Sequence, residues 1–259
     1  MSERGWSGYS PADVSAYALR LGDDALVLAQ RLVEWSSRAP ALEEDIALSN
    51  IALDLLGQAR SLLGYAGEAD GSERSEDDLA YLRSEGELTN VQLVEQPNGD
   101  FAWTMARQLF FSTYQLALYR RLAASADETL AAVAAKAAKE VDYHRDHATT
   151  WTLRLGDGTG ESHRRMQAAL DQLWPFTHEL FEADGLTERL ADSRVAVDPA
   201  SLQPEWDDHV GSTLAAATLS RPEGNWRPGG GRQGHHSEHL GYLLAEMQHL
   251  HRSHPGARW

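Results

Sequence analysis

Residues 127–155 read DETLAAVAAKAAKEVDYHRDHATTWTLRL. Inside this stretch a stripe of mostly apolar residues returns at alternating steps of three and four, which is the spacing of one helix face. The stripe consists of Ala134, Ala137, Val141, His144, Ala148, Trp151 and Leu155. The stretch therefore predicts a long helix that turns one face toward a core.

Three further long helices are predicted upstream of this one. The nearest covers about 101–124 and follows the turn residues Pro97-Asn98-Gly99. The other two cover about 14–38 and 42–67 and are separated by Ala39-Pro40, because proline removes a backbone donor and disfavours helix in the residue before it. Short connections between long helices make antiparallel hairpins, so we expect two hairpins joined by a crossover over about 68–100.

Two helical hairpins joined by one long crossover predict an all-α fold, the ferritin-like four-helix bundle. We expect residues 1–259 to form a single domain, with the bundle over about 14–156 and a helical C-terminal extension over about 161–259. In the extension, an apolar stripe over 166–180 should be interrupted at Pro175. Two more helices are expected over about 202–219 and 237–252.

The charge balance excludes several classes of partner. The chain has 39 acidic and 23 basic residues and a net charge of −16, which repels nucleic acid and anionic membrane surfaces. It has no cysteine, which excludes disulfides and thiolate metal sites. The N-terminal residues lack the apolar segment of a signal peptide, and no apolar run is long enough to span a bilayer. We therefore expect a cytoplasmic protein whose excess acid lies at the solvated surface.

The metal chemistry of ferritin-like bundles provides a test of the predicted core. A dinuclear site takes one Glu from each of two helices and a Glu-x-x-His pair from each of the other two. The helix over 101–124 cannot supply its Glu, because residues 101–126 contain no Asp or Glu. The inward pairs on the second and fourth helices are Leu55 with Gln58 and Val141 with His144, and Glu140 lies one position off the stripe. We therefore expect no metal site in this chain.

Two interpretations of His144 stay open at this point. His144 is the only one of the 11 histidines that we place on an inward stripe. It is either a core histidine bonded to a neighbour such as Gln58 or a backbone carbonyl group, or the remaining ligand of a weak metal site with Glu140. The first is favoured, because one imidazole and one offset carboxylate are too few ligands. The wider alternative is an autonomous ferritin-like di-metal oxygenase or oxidase with an atypical ligand set.

Two C-terminal patterns indicate other chemistries. Residues 235–239, His-His-Ser-Glu-His, match the His-x-x-Glu-His of inverted zinc peptidases and make a zinc hydrolase using His235, Glu238 and His239 a third hypothesis. The glycine-rich loop before them disfavours a helical turn through His235. That loop, residues 229–232, is a weak candidate phosphate cradle, since no strand precedes it and no Lys-Ser/Thr follows. We expect it to be a flexible connection or a segment that orders against a partner.

Several segments in fixed order resemble the structural C subunits of bacterial 1,2-phenylacetyl-CoA epoxidases, also called phenylacetate-CoA oxygenases. The similarity runs from about residue 13 to the end of the chain. The segments that carry it are Tyr17–Asp24, Leu26–Trp35, Asn50–Arg60, Leu93–Phe101, Lys139–His144, His236–Gly241, Leu244–Gln248 and Trp259.

This resemblance implies a role in aerobic phenylacetate catabolism. In that family a sister A subunit of the same ferritin-like fold holds a di-iron centre and epoxidises phenylacetyl-CoA with O2, while a reductase supplies electrons. The C subunit is a structural partner. The resemblance thus implies that this chain has no catalytic residue and no cofactor of its own. Leu55/Gln58 and Val141/His144 would stand where the sister subunit has its Glu-x-x-His motifs.

Overall fold

A computed structural model describes residues 9–257 of the chain. The N-terminal stretch without a signal-peptide pattern and Trp259 lie outside these residues. The described part contains ten α-helices and no strand, which confirms the predicted all-α class. In chain order the helices are α1 Pro11–Val33, α2 Leu42–Ala69, α3 Glu76–Tyr81, α4 Gln92–Glu95, α5 Phe101–Leu122, α6 Glu128–Gly156, α7 Gly160–Leu173, α8 Gly185–Asp192, α9 Gln203–Ala216 and α10 Glu238–Ser253.

The four long helices pack as two hairpins, α1 with α2 and α5 with α6, and α2 also packs against α6. The first turns of α1, α5 and α6 are fixed by side-chain caps, which satisfy backbone N–H groups that have no partner inside the helix. Asp100 accepts from the N–H of Trp103 at 3.0 Å and Asp127 from that of Leu130 at 2.9 Å. The predicted bundle with a long crossover is therefore present.

The first helix ends at Val33 and not near Arg38, so its predicted boundary is wrong. Trp35 lies in the following turn, where its indole Nε1 donates to Thr104 Oγ1 at 2.9 Å and its ring meets Phe101 edge to face at 6.0 Å. Ser37 then adopts a left-handed backbone conformation with φ of 64°. The helix unwinds because Trp35 anchors the connection to α5, a contact that the local sequence pattern does not reveal.

The C-terminal extension packs against the hairpin of α5 and α6. Helices α7 and α9 contact both of its helices, and Trp206 of α9 donates its indole N–H to the Phe110 carbonyl oxygen at 2.8 Å. The predicted interruption at Pro175 is confirmed, since α7 ends at Leu173 and a 3₁₀ turn follows. This cover explains why α5 is buried around almost its whole circumference.

None of the helices formed by residues 9–257 has the length and apolar character needed to cross a lipid bilayer.

Candidate metal centre and the buried ion pairs beside it

The middle of the bundle is apolar at two of the positions where a dinuclear metal site is predicted to need carboxylates. We call the set Leu55, Gln58, Glu140, Val141 and His144 the bundle centre. Leu55 and Val141 are fully buried, and Gln58 and His144 are almost so. Hydrocarbon side chains offer no lone pair to a cation, so α2 and α6 each contribute an apolar residue in place of a ligand.

Amide groups connect three of the four long helices at this level. The Gln58 Nε2 donates to Glu140 Oε2 at 3.1 Å, and the Gln115 Nε2 donates to Gln58 Oε1 at 3.2 Å. The Tyr119 hydroxyl lies 3.4 Å from the Gln115 amide nitrogen. Glu140 is thus held by Gln58 and does not face His144. Gln115 occupies α5, the helix without acids, and an amide is a weaker ligand than the carboxylate of a dinuclear site.

His144 bonds to Asp54, a neighbour that the sequence did not identify. Its Nε2 lies 3.0 Å from Asp54 Oδ2. Asp54 sits on the flank of α2 that faces α6, four residues before Gln58, and the periodicity of α2 alone did not place it there. The geometry does not support the second interpretation, a weak metal site of His144 with Glu140. His144 bonds to Asp54, while Glu140 accepts from Gln58.

The residues at the bundle centre do not fit a dinuclear metal site. Within residues 9–257 no three His, Asp or Glu side chains lie close enough to hold one ion. The donor set does not fit, because Leu55 and Val141 are buried at two of the positions predicted for ligands and offer no donor atom. That the chain binds no metal stays a prediction, which iron loading can test.

The C-terminal His-x-x-Glu-His pattern does not assemble on one helical turn. Helix α10 begins at Glu238, so His235 precedes it, and both of these side chains are exposed. The buried histidine is His236, whose Nδ1 lies 2.8 Å from Glu95 Oε2 and whose Nε2 lies 2.9 Å from the Leu88 carbonyl oxygen. His236 therefore joins the C-terminal segment to the crossover.

The glycine-rich loop is fixed to its own chain, so the expectation of a flexible connection is wrong. Arg232 donates two hydrogen bonds to the Asp24 carboxylate, at 3.1 and 2.7 Å. Glu179 accepts from the Gly231 N–H at 2.7 Å and from the Gln92 N–H at 2.8 Å. A Cβ on Gly231 would overlap the Asn90 carbonyl oxygen, which explains the glycine. Arg232 is therefore bound to Asp24 and is not free to hold a phosphate.

Two cavities near these residues are poor sites for a large substrate. The one beside Arg232, lined also by Tyr17 and Tyr114, has a volume of about 70 Å³. A second, near Trp174 and Trp206, has about 300 Å³ and opens to solvent. Neither is lined by residues of the bundle centre. A cavity of the first size holds a few water molecules, not a coenzyme A thioester.

Comparison with known proteins decides the family. Residues 7–259 match the family described as phenylacetic acid catabolic protein. The chain belongs to that family. It is also 50 % identical over 246 residues to an Escherichia coli (strain K12) protein named as the C subunit of 1,2-phenylacetyl-CoA epoxidase, with 95 % of this chain and 99 % of that protein covered. The resemblance noted from the sequence is confirmed, and membership assigns the chain a role in phenylacetate catabolism.

In this member of the phenylacetic acid catabolic family, the expectation that the excess acid is solvated is wrong at five positions. Asp23, Asp24, Glu95, Asp127 and Glu179 are all buried. Three have cationic partners far away in the sequence: Arg83 for Asp23, Arg232 for Asp24 and His236 for Glu95. The burial of two of them could have been predicted from the sequence, because the pair Asp23-Asp24 interrupts an otherwise apolar stretch of α1.

Proposed function

We propose that this chain is the non-catalytic structural subunit of a phenylacetyl-CoA epoxidase, and that it pairs with the di-iron catalytic subunit of the complex. The observation that carries the proposal is the donor set of the bundle centre, where Leu55 and Val141 stand in place of carboxylates. The similarity to a protein named as the C subunit of that enzyme supports the same assignment.

The packing of the chain supports a role as a rigid neighbour. Its α5 packs against α6, α7 and α9. Hydrogen bonds from the amides of Gln58 and Gln115 link α2, α5 and α6 in the middle of the bundle. A catalytic bundle has to admit a large thioester and keeps weakly packed helices near its site. A tightly packed partner would hold those helices and cover apolar surface that promotes aggregation.

Reconstitution with the catalytic subunit tests the proposal. Epoxidation of phenylacetyl-CoA is measured with the reductase and O2 for each subunit alone and for the complex. We expect no turnover by this chain alone, and a higher soluble yield and rate for the catalytic subunit when both are co-expressed. Turnover by this chain alone would refute the proposal and favour the autonomous oxygenase.

A variant at the bundle centre separates support from catalysis. His144→Gln removes the imidazole and keeps a polar side chain next to Asp54. If this chain is structural, the rate per complex formed stays within about twofold of the wild type, because no reacting atom contacts His144. The amount of complex is measured by size-exclusion chromatography. A loss of more than about a hundredfold at equal complex would place His144 in the chemistry.

A further inference from the structure

Helix α2 carries an unusual outward surface, which we call the docking face. It consists of Leu42, Ile46, Leu53, Leu56 and Gly57. The four large side chains are exposed by between 38 % for Leu56 and 73 % for Leu42. They share one side of the helix and leave the opposite side to the core. Single exposed apolar residues are ordinary, but a row along one helix indicates a contact surface.

The other long helices show no comparable row in the described part of the chain. The apolar side chains of α5 are buried or partly buried, and α1 exposes a large one only at Val33, its last residue. On α6 the exposed one is Tyr143, which is next to His144 and so close to α2. Tyr143 is therefore an exposed aromatic side chain on the helix that packs against α2.

Gly57 shapes the docking face for close helix packing. No atom lies within 4 Å of the point where its Cβ would be, so the backbone of α2 is open there. A glycine inside a helix disfavours the fold and is not required here by its conformation, since its φ is not positive. A groove between Leu53 and Ser61 would admit the side chains of another helix.

The charges around the docking face select the type of partner. Helix α2 has five carboxylates and a single cation, Arg60, which is paired with Glu76 at 3.3 Å. Glu43 and Asp45, beside Leu42, have no ion pair within residues 9–257. A second copy of this chain, itself at −16, would bring more acid to this end. The complementary partner is a different protein with an apolar helix flanked by Lys or Arg.

The size of the docking face suits a substantial part of an interface. From Leu42 to Gly57 the face is about 23 Å long, and with the neighbouring α6 about 20 Å wide. The resulting area, on the order of 450 Å², is about half of the roughly 800 Å² that each protein contributes to a standard interface.

From these observations we infer that the docking face of α2, with Tyr143, is the surface on which the catalytic subunit packs, through an apolar helix with basic flanks. This inference rests on the proposed function, which supplies the identity of the partner, while the place of contact and its chemistry come from the exposed row, the open Gly57 and the acids at Leu42.

The test compares two matched double variants of the full chain, each co-expressed with the catalytic subunit. Ile46→Asp/Leu53→Asp places charge on the docking face. Tyr242→Asp/Leu250→Asp places the same charges on α10, where these side chains are 75 % and 52 % exposed. All substituted positions are exposed, so both variants should fold, which circular dichroism and thermal unfolding of the isolated chains verify. Complex formation is measured by size-exclusion chromatography and by the dissociation constant.

We expect the α2 variant to weaken the complex at least about a hundredfold and the α10 variant to change it less than about threefold. Retention of the complex by the α2 variant, or loss in the α10 variant, overturns the inference and leaves the proposed function intact. If the wild-type chains do not associate at all, the proposed function itself fails. A wild-type chain that forms a homodimer, with the α2 variant monomeric, makes a second copy the occupant and also overturns the inference.

Discussion

At the scale of single residues, His236 is positioned as a cation. Both ring nitrogens face oxygen atoms that only accept, Glu95 Oε2 and the Leu88 carbonyl oxygen, so both nitrogens must donate. Burial lowers the pKa of His236, but the hydrogen bond and charge of Glu95, with the Leu88 carbonyl, outweigh it and leave that pKa above its usual value. The charged imidazole stabilises the contact between the C-terminal segment and the crossover.

This protonation predicts a pH dependence with a definite sign. The folded protein binds the proton more tightly than the unfolded chain, so the stabilisation is complete below the ordinary pKa of about 6.5 and is lost as pH rises through the raised pKa. The difference in unfolding free energy between wild type and His236→Gln should therefore shrink as pH rises from about 5.5 to about 9. Urea unfolding at a series of pH values measures it. A difference that is constant with pH would contradict the assignment.

His209 provides the matched control, because its pKa moves in the opposite direction. Burial, with the charge of Arg145 as a smaller cause, lowers the pKa of His209. The unfolded chain then binds the proton more tightly, so stability is complete above about pH 6.5 and is lost as pH falls through the lowered pKa. In His209→Gln that loss toward low pH should disappear. If the difference in unfolding free energy from wild type changed with pH in the same direction for both variants, the pH dependence could not be assigned to these two histidines.

The buried ion pair of Asp24 and Arg232 predicts that the losses of unfolding free energy on removing its two charges are not additive. Burial lowers the pKa of Arg232, but Asp24 more than offsets it and keeps the guanidinium charged. Arg232→Met leaves Asp24 buried without its cation and should cost about 3–5 kcal/mol of unfolding free energy. Asp24→Asn/Arg232→Met removes both charges and still accepts from the Val91 N–H, so it should recover part of that loss. Denaturant unfolding of the double-mutant cycle measures this. Simple additivity of the two single costs would contradict a coupled pair.

At the scale of elements, the four bundle helices follow from their sequence, while the short helices α4 and α8 do not. The periodic stripes and the capping residues Asp100 and Asp127 are local, so the helices begin where expected. Helix α4 and the fixed glycine loop depend on Glu179 and on Glu95, whose partners lie 52 to 142 residues away. Such contacts leave no periodic signal, and α8 was not predicted either.

The candidate site was predictable to a similar degree. The stripe of α6 and the inward pair of α2 correctly put Leu55, Val141 and His144 in the core. The partner of His144 could not be predicted, because a stripe defines a helix face but not the side chain that meets it from the next helix. Asp54 lies beside the stripe and reaches His144 only through the packing angle of α2 against α6.

Two glycines of α2 predict opposite effects of the same substitution. Gly57 has open space around its missing Cβ, so Gly57→Ala should stabilise the isolated chain by about 0.5–1 kcal/mol. Gly67 is helical too, but a Cβ there would overlap the Arg74 carbonyl oxygen, so Gly67→Ala should destabilise it by about 1–3 kcal/mol. Thermal and urea unfolding of both variants measure this. The reverse order of stabilities would refute the packing described for α2.

At the scale of the whole molecule, the charges fall into two groups. Most of the acid surrounds the bundle, while five carboxylates lie inside, where cations, backbone N–H groups and the Tyr65 hydroxyl bind them. Asp127 caps α6. The other four hold the crossover and the C-terminal segment against α1, away from the bundle centre. The same types of residue that could bind a metal are thereby used for structure.

In the proposed complex, the iron lies in the partner and not in this chain. Native mass spectrometry of the co-expressed complex after anaerobic loading with Fe(II), followed by release and mass measurement of each subunit, tests this. We expect about two iron ions on the catalytic subunit and none on this chain. About two iron ions on this chain, lost again in His144→Gln, would refute it.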